Sequence, residues 1–284
     1  MNNAIKQMLA RYECRTLREH EQALREILQE ITLVGLWRGK FFEHAAFYGG
    51  TALRIFFDLD RFSEDLDFTL LTPNPDWTWK PYAQAVQNEL SSFGFDVSFE
   101  EKAKKDQTAI KSAFLKTPTV QELLKIGVHS DLVKGIHSES LIRIKVEIDT
   151  DPPMKYSCEQ KFLSQPVPVS VRCVDEKCLF VCKMRAALFR AWKSRVKGRD
   201  WYDAVWFIRK KIPLDLSLFS KLSGEKVPLT RATFLKLAKE RIDQLDVSAA
   251  MNDIIHFVRD QEAIKRTWSK KFFHHWIDQI QTIP

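Results

Sequence analysis

The chain is 284 residues long, enough for one large domain or two smaller ones with a full core, and its 45% hydrophobic and 29% charged content is that of an ordinary soluble globular protein. No apolar run reaches the roughly 18 residues of a membrane-spanning helix and no basic-then-apolar leader is seen, so neither a membrane span nor secretion is expected. The net charge of +7 suits a polyanionic partner without requiring one, and five cysteines, an odd number with no Cys-x-x-Cys pair, point to free thiols in a reducing cytoplasm.

Residues 4–13 read as a short helix. Thr16 and Glu19 have the spacing of a capping box. A long helix follows, with Leu17, Ala23, Leu24, Ile27, Leu28, Ile31 and Val34 on one face, which is expected to pack on a sheet. Residues 41–48 lead into a first strand and then into the stretch around which the chain is organised, residues 48–70. Gly49 and Gly50 allow a sharp turn and the close approach of a phosphate. Thr51 then opens a short apolar helix whose first amides can face an anion. Asp65 and Asp67, two apart on a predicted strand, leave the same face, while Leu66 and Phe68 point into a core. Two neighbouring carboxylates repel unless a cation lies between them, and Mg²⁺, with Mn²⁺ as the alternative, is the ion that also carries substrate phosphates.

Downstream, the pattern predicts a helix over 79–90, a strand over 95–99, a charged turn over 100–106, a hairpin partner over 110–115, a helix over 119–126 and a loop-rich stretch to 140. Residues 141–150 form the clearest strand: Ile142, Ile144, Val146 and Ile148 face one way, and Arg143, Lys145, Glu147 and Asp149 the other. Beside an Asp-x-Asp strand, either Glu147 or Asp149 could supply a third carboxylate, and Lys145 could neutralise phosphate or pair with Glu147. Val167, Val169 and Val171 suggest a short strand, and Asp175 caps a helix over about 176–192. A basic run, Arg185, Arg190, Lys193, Arg195, Lys197 and Arg199, is flanked by Trp192 and Trp201; it can be read as an RNA-tracking surface or as a solvated helix end. Beyond Pro213 the chain reads as helices only.

Gly49-Gly50-Thr51-Ala52-Leu53 and Arg61-Phe62-Ser63-Glu64-Asp65-Leu66-Asp67-Phe68, separated so that fourteen residues lie between Gly50 and Asp65, resemble the first motif of the AbiEii/AbiGii toxins. That family includes the MenT toxins and belongs to the DNA polymerase β-like nucleotidyltransferase superfamily. Lys145-Val146-Glu147-Ile148 is similar to a second element of these proteins and favours Glu147 over Asp149, which stays in play. Lys183 stands where the family places its triphosphate-binding lysine, and Arg199-Asp200-Trp201-Tyr202-Asp203 resembles its Lys/Arg-Asp-x-Tyr-Asp motif. Asp203 could equally pair with a cation to hold helices together.

The resemblance, which spans about residues 20–210, implies an α/β fold of the α+β kind. A polymerase β-like core with a mixed sheet and N-terminal helices would occupy 1–174, a helical C-terminal bundle 175–284, and an active-site cleft would lie between them. It implies transfer of a nucleoside monophosphate from an NTP to an RNA acceptor, tRNA by family likeness, in a toxin–antitoxin or abortive-infection setting with a cognate antitoxin. Asp65, Asp67 and Glu147 would hold Mg²⁺. Gly49, Gly50, Thr51, Ser63, Lys183 and Asp200 would bind the nucleotide, and Arg61 would stabilise charge on its phosphates. Asp149, Lys183 and Asp203 complete the expected catalytic set, and Arg190, Lys193, Arg195, Lys197 and Arg199 the expected RNA-binding set. A small-molecule acceptor, a kinase-like γ-phosphate transfer and a non-catalytic nucleic-acid-binding module are the other readings.

Overall fold

The computed structural model describes residues 2–102, 108–190, 196–225 and 229–284. The chain divides into two compact units, Met1–Phe56 with Phe62–Cys173, and Phe57–Arg61 with Val174–Pro284.

In the first unit, α1 (Asn3–Leu9) and α2 (Leu17–Arg38) precede β1 (Ala45–Tyr48), α3 (Gly49–Phe56) and β2 (Leu66–Leu70). Next come α4 (Lys80–Ser92), β3 (Ser98–Glu101), β4 (Ile110–Pro118), α5 (Thr119–Lys125), α6 (Ser130–Val133), β5 (Leu141–Asp149), β6 (Cys158–Leu163) and β7 (Val169–Val174). The seven strands form one mixed sheet in the order β3-β4-β5-β2-β1-β7-β6. β2 lies antiparallel to β1 and parallel to β5.

Alternation decides the faces. Leu66, Phe68 and Leu70 of β2 and Ile142, Ile144, Val146 and Ile148 of β5 are buried in the main core with Leu24, Ile27, Leu28 and Ile31 of α2. The intervening residues Asp67, Lys145, Glu147 and Asp149 come out on the other face of the sheet. The Thr16–Glu19 capping box is present at the start of α2.

One predicted strand starts later than expected, and one strand is not foreseen. Phe95 and Val97 are buried but precede the strand, which runs Ser98–Glu101, because their side chains fill the core beside α4 rather than alternating in a ladder. β6 carries Glu159 and Lys161 in a sheet-edge position, and its short mixed pattern gave no strand signal. Residues 103–107 of the predicted charged turn lie outside the described residues.

The second unit contains α7 (Glu176–Phe189), α8 (Gly198–Arg209), β8 (Leu214–Asp215), α9 (Leu216–Ser223), α10 (Arg231–Asp243), α11 (Val247–Ile254), α12 (Gln261–Thr267), α13 (Lys270–Asp278) and β9 (Thr282–Ile283). Asp175, Asp215, Thr230, Asp246 and Ser269 each cap the helix that follows by accepting a backbone N–H. α8 packs on α7, α11 and α13. Gly198 permits its contact with α11, since a Cβ there would lie 1.9 Å from the Ala250 carbonyl oxygen. The expectation of helices alone fails at one point: β8 and β9 pair in parallel, Leu214 with Thr282 and Asp215 with Ile283. Two residues per strand are too few for alternation to show in the sequence. Among the described residues no helix is long and apolar enough to cross a membrane.

Candidate active site

Asp67 sits at the centre of the polar sheet face. Its register partner on the antiparallel side is Tyr48, the residue before the glycine turn, and on the parallel side Glu147. Parallel pairing in register brings their side chains out of the same face on strands about 4.8 Å apart. Asp149 is opposite Thr69, one step further along the face, and its carboxylate accepts the Asp151 backbone N–H at 3.0 Å. Of the two acids left open by the sequence, Glu147 is therefore the one beside Asp67.

Gly49 has φ +82°, and a Cβ on it would fall 2.5 Å from Oδ2 of Asp67. The turn thus needs glycine twice, once for its backbone conformation and once for the Asp67 carboxylate pressed against it. Gly49→Ala is expected to cost about 1–2 kcal/mol of stability from the left-handed conformation. It should also lower transfer activity well beyond what that loss explains, because the methyl displaces Asp67; a parallel measurement of melting and turnover separates the two.

Asp65 precedes β2, and its main chain is held from two sides. The Thr51 hydroxyl donates to the Asp65 carbonyl. Gln29 on α2 donates through Nε2 to the carbonyls of Glu64 (2.9 Å) and Ser63 (3.2 Å). Thr51 is fully buried and its hydroxyl bonds the aspartate segment, where the sequence reading expects a triphosphate contact.

Gln29 is a residue that apolar periodicity passed over. It is 1% exposed and shares a stripe of α2 with Glu26 and Glu30. Glu26 accepts from Tyr12 and Arg54, both at 2.8 Å, and Glu30 from Arg11 at 2.6 Å. Polar side chains at i, i+3 and i+4 inside a helix that is otherwise core were the available signal. Gln29→Leu is expected to reduce turnover by about 10–100-fold, the usual cost of losing a group that orients a metal-binding residue. A pre-steady-state assay at saturating NTP would check it.

Among the described residues no three His, Cys, Asp or Glu side chains stand close enough to enclose a metal ion by themselves. Glu147 accepts a hydrogen bond from the Ser112 hydroxyl at 2.8 Å and pairs with Lys145 Nζ at 2.8 Å. The donor set nevertheless suits Mg²⁺, which is bound through one or two carboxylates plus water and substrate phosphates and not by an all-protein cage.

The second unit holds a different constellation. Arg61 is 2% exposed and grips Asp203 with two parallel bonds, Nε to Oδ1 and Nη2 to Oδ2, each 2.7 Å. Lys183 Nζ lies 2.8 Å from Asp203 Oδ2 and 3.5 Å from Asp200 Oδ1, and Arg190 reaches Asp200 at 3.1 Å. Burial alone would raise the Asp203 pKa, but the charges and hydrogen bonds of Arg61 and Lys183 outweigh it and hold the carboxyl below its ordinary value. Two expectations change here. The expectations place Arg61 on the phosphates and Asp203 among the catalytic groups; in the structure the two are buried against each other, with Lys183 beside them. Lys183 is the most exposed of the three, at 14% of its side chain, against 2% for Arg61 and none for Asp203.

The expected RNA surface is also redrawn. Arg199 lies 3.4 Å from Asp253 and stacks over the Phe257 ring at 4.3 Å, so its side chain is built into the unit. Trp201 is buried against Phe273 and offers no stacking face. Trp192, Lys193 and Arg195 lie outside the described residues.

The overall fold resembles that of two solved proteins of Helicobacter pylori. JHP933 aligns with 17% identity and a TM-score of 0.51 over 89% of each chain. A second H. pylori protein, described as a candidate nucleotidyltransferase, aligns with 17% identity and a TM-score of 0.50, again over 89% of each chain. These likenesses concern the fold, a mixed sheet with a glycine turn against Asp67. The chain belongs to the AbiEii nucleotidyl transferase toxin family of type IV toxin–antitoxin systems, whose family model matches residues 31–273. Membership makes the protein a nucleotidyltransferase, with an NTP as substrate and an antitoxin as the partner of the system. A search of curated proteins returned no match.

Proposed function

We propose that the protein transfers a nucleoside monophosphate from an NTP to a hydroxyl of RNA, with a tRNA end as the acceptor, in a Mg²⁺-dependent reaction. The observation that carries the reading is the pairing of Asp67 with Glu147 on adjacent parallel strands, against a glycine turn that only a side-chain-free residue can make. Asp65, Asp67 and Glu147 would hold the metal. When bound, Mg²⁺ supplies charge neutralisation on the triphosphate and acidifies the attacking hydroxyl. The acceptor oxygen attacks the α-phosphorus, the bond to the bridging oxygen breaks, pyrophosphate leaves, and Glu147 or Asp149 takes the hydroxyl proton. Gly49, Gly50 and Ser63 would line the path of the phosphates, and Lys183, steadied by Asp203 and Asp200, is the phosphate-binding cation that the family resemblance assigns. RNA as acceptor draws support from the net charge of +7 and from the family. A cytoplasmic site of action follows from these substrates.

Incubation with each of the four NTPs labelled at the α-phosphate, together with total RNA, tests the proposal. Label should enter RNA of tRNA size with one NTP preferred, and Mg²⁺ chelation should stop it. Label entering a small molecule, or transfer of a γ-label to protein, would replace the acceptor or the reaction.

A further inference from the structure

The second unit contains a cavity of 590 Å³ between α8, α12 and α13 that takes no part in the chemistry above. Its wall is aromatic: Tyr202, Trp206, Trp268, Phe272 and Trp276. We propose that this cavity is a second nucleotide-binding site, which takes one unpaired nucleobase among these rings and its phosphate at Arg209.

The argument starts from the rings. Trp206 and Trp268 are each 7% exposed and form a rigid base to the pocket. Trp268 is backed by Phe273 at 5.0 Å and tilts toward Tyr202, with centroids 6.5 Å apart. Phe272 and Trp276, half-buried one turn apart on α13, stand edge to face at 6.4 Å. A volume of this size is that of a small-molecule site, and planar faces in such number favour a planar guest.

The rim makes the guest a polar one. Arg209, exposed at the end of α8, lines the mouth. Arg259 also lines the mouth. The two acids at the mouth are tied into the fold: Asp60 accepts the Tyr202 hydroxyl at 2.7 Å, and Asp260 Oδ1 caps α12 by accepting the Ala263 N–H at 2.8 Å. Cations at the edge of an aromatic slot match a base with an attached phosphate, the combination by which single strands are held without a double-helical groove. A lipid chain or an aliphatic side chain would use the rings but not the cations.

The guest can be a free nucleotide or the unpaired end of an RNA, and the experiment separates them. The full chain is titrated in EDTA, which removes metal-dependent nucleotide binding, with AMP, GMP, CMP, UMP, ribose 5-phosphate and single-stranded hexauridylate, followed by calorimetry. At least one nucleotide or the hexamer is expected to bind, and ribose 5-phosphate, which lacks a base, is not. Trp276→Ala should weaken binding by about tenfold or more. Arg209→Ala, on the exposed rim, should weaken it and flatten its salt dependence. Asp67→Asn should leave it unchanged, so the site stands or falls apart from the transfer reaction. Binding of mononucleotides identifies a free nucleotide as the guest, and binding of the hexamer alone identifies an RNA end. The proposal is overturned if nothing binds in EDTA, if ribose 5-phosphate binds equally well, or if folded Trp276→Ala and Arg209→Ala both bind as the wild type does.

Discussion

Asp67→Asn is expected to abolish nucleotidyl transfer, with a loss of about a thousandfold or more, while the protein remains folded. Asparagine keeps the size and the strand position but removes the charge that holds a divalent ion. A thousandfold corresponds to about 4 kcal/mol of transition-state stabilisation, within the several kcal/mol that a metal supplies to phosphoryl chemistry. Stability should change little. Asparagine fits the strand position beside Glu147, so the fold should persist. The melting temperature of the variant in metal-free buffer should therefore stay close to that of the wild type. A variant that loses activity and also unfolds would point to a structural role for Asp67.

Asp203→Ala is expected to do the reverse, damaging stability first. Its carboxylate is fully buried and is held by Arg61 through two bonds of 2.7 Å and by Lys183 at 2.8 Å. Alanine takes from the buried guanidinium the carboxylate that holds it by two bonds, which costs about 3–5 kcal/mol. Urea unfolding, read on the transition of the C-terminal unit, would measure it. Arg61→Lys should also destabilise, because an ammonium cannot make the paired bonds.

The pH dependence follows from the lowered Asp203 pKa. A depressed acid stabilises the fold above its ordinary value of 3.8, and that contribution is lost as pH falls from there through the lowered value. The wild type should therefore show an acid limb of destabilisation below about pH 3.8 that is smaller in Asp203→Ala.

What the sequence made legible was the part governed by local rules. The glycine turn and the alternation of residues 141–149 each depend on neighbours a few positions away, and they appear in the structure as a left-handed glycine and a strand, while Asp65, expected on the strand with Asp67, lies just before it. The helix caps at Thr16 and Asp175 are readable for the same reason.

What was hidden depends on partners far along the chain. Arg61 and Asp203 are 142 residues apart, and nothing around either one says that they meet and leave water together. An arginine in a phosphate-binding motif then looks like a ligand contact until its burial is known. Gln29 supports the aspartate segment from 34 and 35 residues away, and its neighbours are core residues of α2. Trp201 and Arg199 looked like a stacking and charge surface because residue type says nothing about which side of α8 faces inward. The choice between Glu147 and Asp149 turned on register, which a strand pattern with period two leaves open by a step of two.

The central claim is that the acids opposite the glycine turn hold a divalent ion with a nucleotide. Crystals grown with Mn²⁺ and a non-hydrolysable NTP, measured at the manganese edge, test this most directly. The account predicts an anomalous peak within coordination distance of the Asp65 and Asp67 carboxylates and of the triphosphate, absent in Asp67→Asn. A nucleotide bound with its phosphates away from these acids, or manganese seated elsewhere, would contradict it.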